Sequence, residues 1–241
     1  MHLERLVNSL ARKKIVFVIV EGPSDEDALG VLLGKVFDKN LVYVHVTHCD
    51  VTTEWGVSSD NVLSKIGSIV KGYADSTHLK KVHFQRVIHI LDTDGAYVPD
   101  KAVAEDGNAE KNIYSLTKIQ TKNVNGILER NKRKSACLDR LSIANAVWGD
   151  VPYQAYYMSC NLDHVLYDKL NLSDEEKEKN SLAFAKRYRE NIDGFIRYIS
   201  DSSFSVPGEY RETWNFIKQD LHSLERHTNL GLSLVDAKEK E

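Results

Sequence analysis

The chain has 241 residues, of which 42% are hydrophobic and 28% are charged, and its formal net charge is −3. This composition is ordinary for a soluble, folded protein with a real core, and the weak net charge excludes a globally basic surface for polyanions. The three cysteines, Cys49, Cys137 and Cys160, form no CxxC pair, which argues against a disulfide framework and fits a reducing cytoplasm. Because there is no signal-peptide pattern and no apolar run of about 20 residues, we expect a cytoplasmic protein that does not bind a membrane.

The first part of the chain alternates predicted strands and helices. Ile15–Val20 is rich in β-branched residues and apolar on both faces, which is typical of a strand in a covered parallel sheet. A helix is predicted over Asp25–Phe37, with Ser24 as its cap and Asp27 three residues further on. Next come a predicted strand at Leu41–Val46, a helix at Asp60–Tyr73 and a strand at Phe84–Asp92. This order predicts an α/β fold with right-handed connections.

The second part of the chain is predicted to change from strands to helices. We expect a surface loop at Pro99–Lys111, a weak helix at Asn112–Leu128 and a strand at Val151–Ser159. From Ser173 onward the pattern is helical, and the first helix begins with an acid-rich turn. A final helix is predicted to contain Trp214, Ile217, Leu221 and Leu224. The sequence therefore predicts an α/β domain over residues 1–170 and a helical C-terminal segment, residues 171–241, packed on it.

Two of the predicted strands end in an acidic residue that is followed by glycine. The first strand is followed by Glu21 and Gly22, and the third ends in Asp92, with Asp94 and Gly95 close behind. If these strands are neighbours, the acids meet at the carboxyl edge of the sheet, where ligands of such folds bind. If the chain stays extended, Asp92 and Asp94 project to the same side. The two glycines would let a phosphate or a metal-bound water approach the backbone.

Crowded carboxylates repel each other and raise each other's pKa unless a cation compensates their charge. A site made of oxygen ligands without histidine suits Mg²⁺ or Mn²⁺ better than zinc. There is a structural alternative, because Asp-Thr-Asp-Gly is also a turn sequence and Ser24–Asp27 is also a helix cap. The repetition of acid-glycine after two strands favours a metal site.

The order of these motifs resembles the TOPRIM domain. A strand ending in VEGPSD, then helix, strand and helix, and then a strand ending in DTDG is the pattern of that domain. It is shared by type IA topoisomerases, gyrase B subunits, bacterial primases and OLD-family nucleases. The resemblance covers roughly Lys13 to Asp168 and implies a Rossmann-like, mostly parallel sheet flanked by helices.

The resemblance also implies roles for individual residues. Glu21, Asp92 and Asp94 match the acids of the family's catalytic site, and Glu21 would serve as a ligand or as a general acid or base. The segment EGPSDEDALGVLL is most similar to OLD-type and small stand-alone nucleases, in which an acid at the position of Asp25 can join the metal shell. Asp163 stands where those relatives have a glutamate, so it is a candidate ligand of a second metal, with Ser159 as a weaker neighbour. One or two Mg²⁺ or Mn²⁺ ions are implied.

The function implied is metal-assisted hydrolysis of phosphodiester bonds in DNA or RNA, in phage defence or RNA processing. The alternative is a non-catalytic TOPRIM module that binds nucleic acid or a partner ATPase. A different phosphotransfer enzyme on the same acidic edge is a third reading. The chain has no Walker A motif, so this alternative expects the ATPase in a partner chain. Homo-oligomerisation is left open.

A basic segment is the candidate for contact with nucleic acid. Lys118 to Arg140 holds seven basic and two acidic residues, a net charge of +5 in a chain of net charge −3. Its densest part supplies the predicted phosphate-binding residues, Arg130, Lys132, Arg133 and Lys134. The alternative is a solvated helix end.

Other polar and aromatic residues are given structural roles. We expect His89 to be a buried, hydrogen-bonded residue of the third strand and His164 to lie on a surface helix. Tyr153, Tyr156 and Tyr157 could stack on bases, but their place in a strand favours core packing.

Overall fold

A computed structural model describes residues 14–37 and 42–239. Its centre is a mixed sheet with strand order β2-β1-β3-β8-β7, and β9 pairs with β8 near its end. The strands β2, β1, β3 and β8 are mutually parallel, whereas β7 and β9 run antiparallel to β8. These strands are β1 Lys14–Val20, β2 Val42–His48, β3 Phe84–Asp92, β7 Ala146–Val147, β8 Val151–Ser159 and β9 His227–Thr228. A separate small sheet contains β4 Val103–Glu105, β5 Ile113–Tyr114 and β6 Ile119–Thr121.

Helices cover both faces of the central sheet. They are α1 Pro23–Phe37, α2 Val62–Ser76, α3 Val124–Ser142, α4 Leu162–Tyr167, α5 Asp174–Tyr188, α6 Ile192–Ser200, α7 Tyr210–Ile217 and α8 Gly231–Glu239. Short 3₁₀ turns at Lys81–His83 and Asp100–Ala102 precede β3 and β4. None of the helices in the described ranges combines the length and apolarity needed to span a bilayer.

Side-chain alternation along β1 divides the core into two layers. Ile15, Phe17 and Ile19 face one layer, which also contains residues of α2, α3 and α7. The intervening valines face the other layer, with residues of α1, α4, α5, α6 and α8. Because both faces are covered, β1 has no polar side, as expected for an internal parallel strand.

The structure confirms an α/β fold with a mostly parallel sheet and C-terminal helices. The predicted positions of β1, β2, β3, β8, α1 and α2 are correct to within a few residues, although Leu41 lies outside the described residues. The predicted cap of α1 is wrong. The helix begins at Pro23, and Asp25 Oδ2 accepts a hydrogen bond from the Gly22 N–H at 2.9 Å, so Ser24 and Asp27 do not form the cap.

The segment between β3 and α3 was predicted least well. The expected loop at Pro99–Lys111 contains β4, and the expected helix at Asn112–Leu128 is instead the hairpin β5–β6 followed by the first turn of α3. Short strands with few buried residues give little periodicity in the sequence. In addition, the Asn171 side chain accepts a hydrogen bond from the Tyr114 N–H and donates one to the Tyr114 carbonyl, both at 2.8 Å. That tertiary contact has no local sequence signal.

The C-terminal segment is mainly but not wholly helical. The acid-rich first turn of α5 is present as predicted, and Ser173 and Glu176 form a capping box at its start. The predicted last helix ends at Ile217, so Leu221 and Leu224 lie in the turns after α7, and the chain then adds β9 and α8. Because β9 pairs with β8, this segment joins the central sheet; a domain division at residue 170 stays a prediction.

Candidate functional site

The ends of β1 and β3 bring the first two acids together. The two strands are parallel neighbours, so Glu21 follows β1 beside the last residue of β3. The backbone N–H of Asp92 donates to Glu21 Oε1 at 3.0 Å, and Asp92 Oδ1 accepts from the Leu162 N–H, at the start of α4, at 2.9 Å. The predicted meeting of acids from the first and third strands at the carboxyl edge is therefore confirmed.

Asp94 does not continue the strand. Its φ is +49°, and its N–H donates to the Cys160 carbonyl at 2.7 Å, so the chain turns immediately after Asp92. Aspartate is one of the few residues with a side chain that tolerate this left-handed conformation. The expectation that Asp92 and Asp94 project together from an extended chain is wrong, because the turn gives their carboxylates different partners.

Gly95 is required by packing. Its φ is +67°, and an added Cβ would lie 2.7 Å from Leu224 Cδ2 and 3.0 Å from Ile119 Cδ1. The residue is buried, so the expected exposure of its backbone to a phosphate or metal-bound water is wrong. At Gly22, by contrast, the nearest atom to an added Cβ is Asp25 Oδ2 at 3.7 Å, which is ordinary contact.

The side chain of Lys134, from the middle of α3, reaches into the acidic site. Its ammonium lies 2.5 Å from Asp94 Oδ2 and 3.5 Å from Glu21 Oε1, and its side chain is 0% exposed. A buried lysine is rare unless it is paired, and here two carboxylates pair with it. The ammonium thus bridges residues that follow two different strands.

Burial and mutual repulsion shift the proton affinities of the site. Burial raises the pKa of Glu21 well above its usual value. The positive charge of Lys134 opposes this rise, and the negative charges of Asp50, Asp94 and Asp25 add to it. Burial also raises the pKa of Asp92 well above its usual value, and Glu21 adds to this rise. For Lys134, burial opposes the charged form, but the nearby carboxylates outweigh it and raise the pKa.

Asp25 and Asp163 form a second part of the acidic edge. Burial raises the pKa of Asp25 to about 6; the hydrogen bond from Gly22 opposes this rise, and the charge of Asp163 increases it. Asp163 lies in the first turn of α4, and Lys177 Nζ is 3.7 Å from its Oδ2. The structure therefore places all five predicted acids at one edge. Lys134 lies beside Glu21 and Asp94, and Lys177 lies beside Asp163.

Asp50 is a site residue that the sequence reasoning did not single out. It follows β2 at the same edge, and its charge acts on both Glu21 and Lys134. Burial alone would raise its pKa, but Lys134 and hydrogen bonds from Thr53 and Thr52 lower it. The signal was available, since β2 is a parallel neighbour of β1 and the first acid after it falls at the same edge.

The four predicted phosphate-binding residues do not form one surface patch. Lys132 and Arg133 are exposed, but Lys134 is fully buried in the acidic site. Arg130 is partly buried and donates to the Asp94 carbonyl at 2.8 Å and the Tyr114 hydroxyl at 2.6 Å. A helix with 3.6 residues per turn sends positions 130 and 134 to one face, which here is the inner one. Only Lys132 and Arg133 keep the predicted surface role.

The remaining polar and aromatic residues singled out in the sequence all lie in the interior. Ser159 is buried, and its hydroxyl donates to the His222 carbonyl at 2.7 Å, so it does not face the acids. His164 is buried, so its predicted surface position is wrong. His89 is buried with its Nδ1 2.9 Å from the Tyr153 hydroxyl, as predicted. The tyrosines of β8 lie in the core, also as predicted.

The acidic edge has the donor chemistry for a hard cation, although its side chains are arranged around a lysine. Within residues 14–37 and 42–239, no three Asp, Glu, His or Cys side chains stand in a metal-ligating arrangement. A separate groove lies between β2, α1 and α5, and residues such as Gly30, Val46 and Leu182 line it. It contains none of the five clustered acids.

Comparison of the chain with protein-family models, with curated proteins and with solved structures found no match.

Proposed function

We propose that this chain is a metal-dependent nuclease of the TOPRIM type. One observation carries the proposal: Glu21, Asp92 and Asp94 converge at the carboxyl edge of a parallel sheet, from strands that are direct neighbours. Ligands of open α/β sheets bind at this edge. The motifs at these positions, VEGPSD and DTDG, resemble those of TOPRIM proteins.

The residues present fit a divalent cation in their chemistry. Glu21, Asp92 and Asp94 offer carboxylate oxygens, and the raised pKa of the first two reports crowding and burial that a cation would relieve. These three would hold Mg²⁺ or Mn²⁺, with Asp25 and Asp163 beside them for a second ion. A bound ion would polarise a phosphodiester and lower the pKa of a water.

The chain's own side chains would manage protons and charge. Because burial raises the pKa of Glu21 well above its usual value, its carboxyl is suited to the role of general acid or base. Lys134 holds Asp94 and Glu21 in place through its two contacts. Outside the site, Lys132 and Arg133 would bind the backbone phosphates of DNA or RNA.

A second candidate is a TOPRIM module that binds nucleic acid, or a partner ATPase, without cutting. The ion pairs of Lys134 favour it, because a resident ammonium compensates Asp94 and Glu21 without any metal. In either case we propose a cytoplasmic protein; the role in phage defence or RNA processing is part of the same proposal.

The test is a cleavage assay on supercoiled plasmid, single-stranded DNA and structured RNA, with Mg²⁺, Mn²⁺ or EDTA. The variants are Asp92→Asn and Glu21→Gln, which keep an oxygen for the hydrogen bonds from Leu162 and Asp92. Removing a metal-binding charge should lower cleavage by at least about 100-fold, since the ion supplies several kcal/mol of charge stabilisation.

Asp75→Asn is the matched control, because Asp75 is an exposed acid in the last turn of α2, away from the acidic edge. It should cut like the original chain. Metal-dependent cutting that survives both Asp92→Asn and Glu21→Gln would contradict the assignment. Metal binding and nucleic-acid binding without cutting would favour the second candidate.

A further inference from the structure

The loop between β2 and α2 presents an exposed tryptophan. Trp55 is 94% exposed, the highest value among the large apolar side chains of the described residues. The other two tryptophans are sheltered: Trp214 is buried, and Trp148 packs edge-on against Phe84. An almost fully exposed tryptophan forgoes the burial of a large apolar surface.

The loop lies at the same edge of the sheet as the acidic site. The Cys49 N–H, directly after β2, donates to the Val20 carbonyl at 2.7 Å, next to Glu21. Asp50 is near enough for its charge to act on Glu21 and Lys134. Trp55 follows five residues later, in the loop that Asp50 anchors at this edge.

The loop is held on both sides of Trp55. Asp50 accepts hydrogen bonds from the backbone N–H groups of Thr52 at 3.0 Å and Thr53 at 3.3 Å. Glu54 pairs with Lys65 of α2 at 2.6 Å, and the Gly56 carbonyl accepts from Asn61 Nδ2 at 2.9 Å. The flanking valines, Val51 and Val57, are buried, so the fixed loop holds its largest apolar side chain outside the core.

The surroundings of Trp55 distinguish between classes of partner. A shallow depression beside the ring is lined by Gly56 and Val57 and by the polar side chains of Glu54, Asn61, Ser64, Lys65 and Ser68. A protein docking surface would need a contiguous apolar patch, which a single ring among polar groups does not provide. A nucleobase has a flat π-face with hydrogen-bonding groups at its edge, and this combination matches a ring bordered by donors and acceptors.

We infer that Trp55 stacks on an unpaired base of a single-stranded nucleic acid and so positions the strand beside the acidic edge. The inference rests on the proposed function and names its substrate class as single-stranded, because the π-faces of paired bases are already stacked on their neighbours. Trp55 would be a positioning residue that contacts the strand away from the reacting phosphate.

The test measures binding in EDTA, so that it does not depend on metal or cleavage. Labelled single-stranded DNA and RNA 12-mers and a blunt duplex are titrated with the full chain and with Trp55→Ala and Trp55→Phe. Trp55→Ala should weaken single-strand binding by about 5- to 100-fold, the usual effect of losing one stacked base, and leave duplex binding unchanged. Trp55→Phe should recover most of the loss because it keeps a ring.

Val82→Ala is the control, since Val82 is 74% exposed in the 3₁₀ turn before β3, at the opposite edge of the sheet. The fluorescence of the original chain should also be quenched by the single strand, and Trp55→Phe should lose that quenching. Equal single-strand binding by Trp55→Ala, or no binding of any nucleic acid by the original chain, would overturn the inference. Cleavage that needs Asp92 but not Trp55 would support the proposed function and contradict the role of Trp55. Binding that needs Trp55, without any cleavage, would support the role of Trp55 and contradict the proposed nuclease function.

Discussion

Lys134 is the residue on which the electrostatics of the acidic site depend most. Its buried ammonium contacts Asp94 and Glu21, which are themselves shielded from water. Breaking a buried ion pair from one side is costly, because the remaining charge has neither a partner nor full hydration. In the metal-free protein, Lys134 therefore compensates the negative charge of the acidic site.

Lys134→Met should destabilise the metal-free protein strongly. Removing the cation leaves the Asp94 carboxylate without its partner, and the free energy of unfolding at pH 7.5 should fall by about 3–5 kcal/mol. Urea denaturation in EDTA measures this change. Lys132→Met, two residues away on the exposed face of α3, should change the free energy by less than about 0.5 kcal/mol. Equal stability of the two variants would show that the lysine does not compensate the acids.

Asp25 gives the metal-free protein a pH dependence with a defined sign. Its folded pKa is raised from 3.8 to about 6, so the folded state favours the protonated form. The stability this provides is present at pH values below 3.8 and is lost as the pH rises through about 6.

Asp25→Asn should remove part of this pH dependence, since an amide oxygen can still accept from Gly22 and carries no charge. In EDTA, the free energy of unfolding of the original chain should decrease by roughly 2 kcal/mol more than that of Asp25→Asn between pH 4 and pH 7. Urea denaturation at a series of pH values makes the comparison. Parallel curves for the two proteins would contradict the raised pKa of Asp25.

At the scale of elements, the turn after β3 joins the acidic site to the rest of the molecule. Gly95 N–H and the Thr93 hydroxyl both donate to the Ser223 carbonyl, at 3.1 and 2.8 Å. Leu224 packs against the same glycine, so the turns after α7 help to fix Asp94. The position of this carboxylate therefore depends on a segment about 130 residues away in sequence.

Gly95→Ala tests this packing. The new methyl group would need a left-handed backbone and would meet Leu224 and Ile119 at 3.0 Å or less, so unfolding should become easier by about 2–4 kcal/mol. Gly107→Ala is the control, because no atom lies within 4 Å of its added Cβ. Thermal unfolding of both variants compares them. If Gly95→Ala melts at the same temperature as Gly107→Ala, the turn is not held as described.

The sequence predicted those elements whose core positions repeat along them. The apolar run of β1 and the helical spacing of α1 and α2 are local signals, and so are the acids that end β1 and β3. The hairpin β5–β6 and the strand β9 were missed because they are short and depend on partners such as Asn171 and Met158. The inward face of α3 was missed for a similar reason: a cluster of basic residues suggests solvent, and only the fold shows that Lys134 meets Asp94.

At the scale of the whole molecule, the order of the strands creates the site. Placing β1 between β2 and β3, all parallel, brings the acids after three strands to one edge, and β8 adds Asp163 at the start of α4. The loop that Asp50 anchors at this edge carries the exposed Trp55. A single topological arrangement thus supplies carboxylates, a compensating lysine and a candidate stacking platform.

Whether this edge binds a divalent cation is the central question, and calorimetric titration of Mn²⁺ at pH 7.5 answers it most directly. The original chain and Asp75→Asn should bind one or two ions, and Asp92→Asn and Glu21→Gln should each lose binding at the site. Circular dichroism of each protein checks that its fold is intact. Absence of binding by the original chain, or undiminished binding by both Asp92→Asn and Glu21→Gln, would contradict the account.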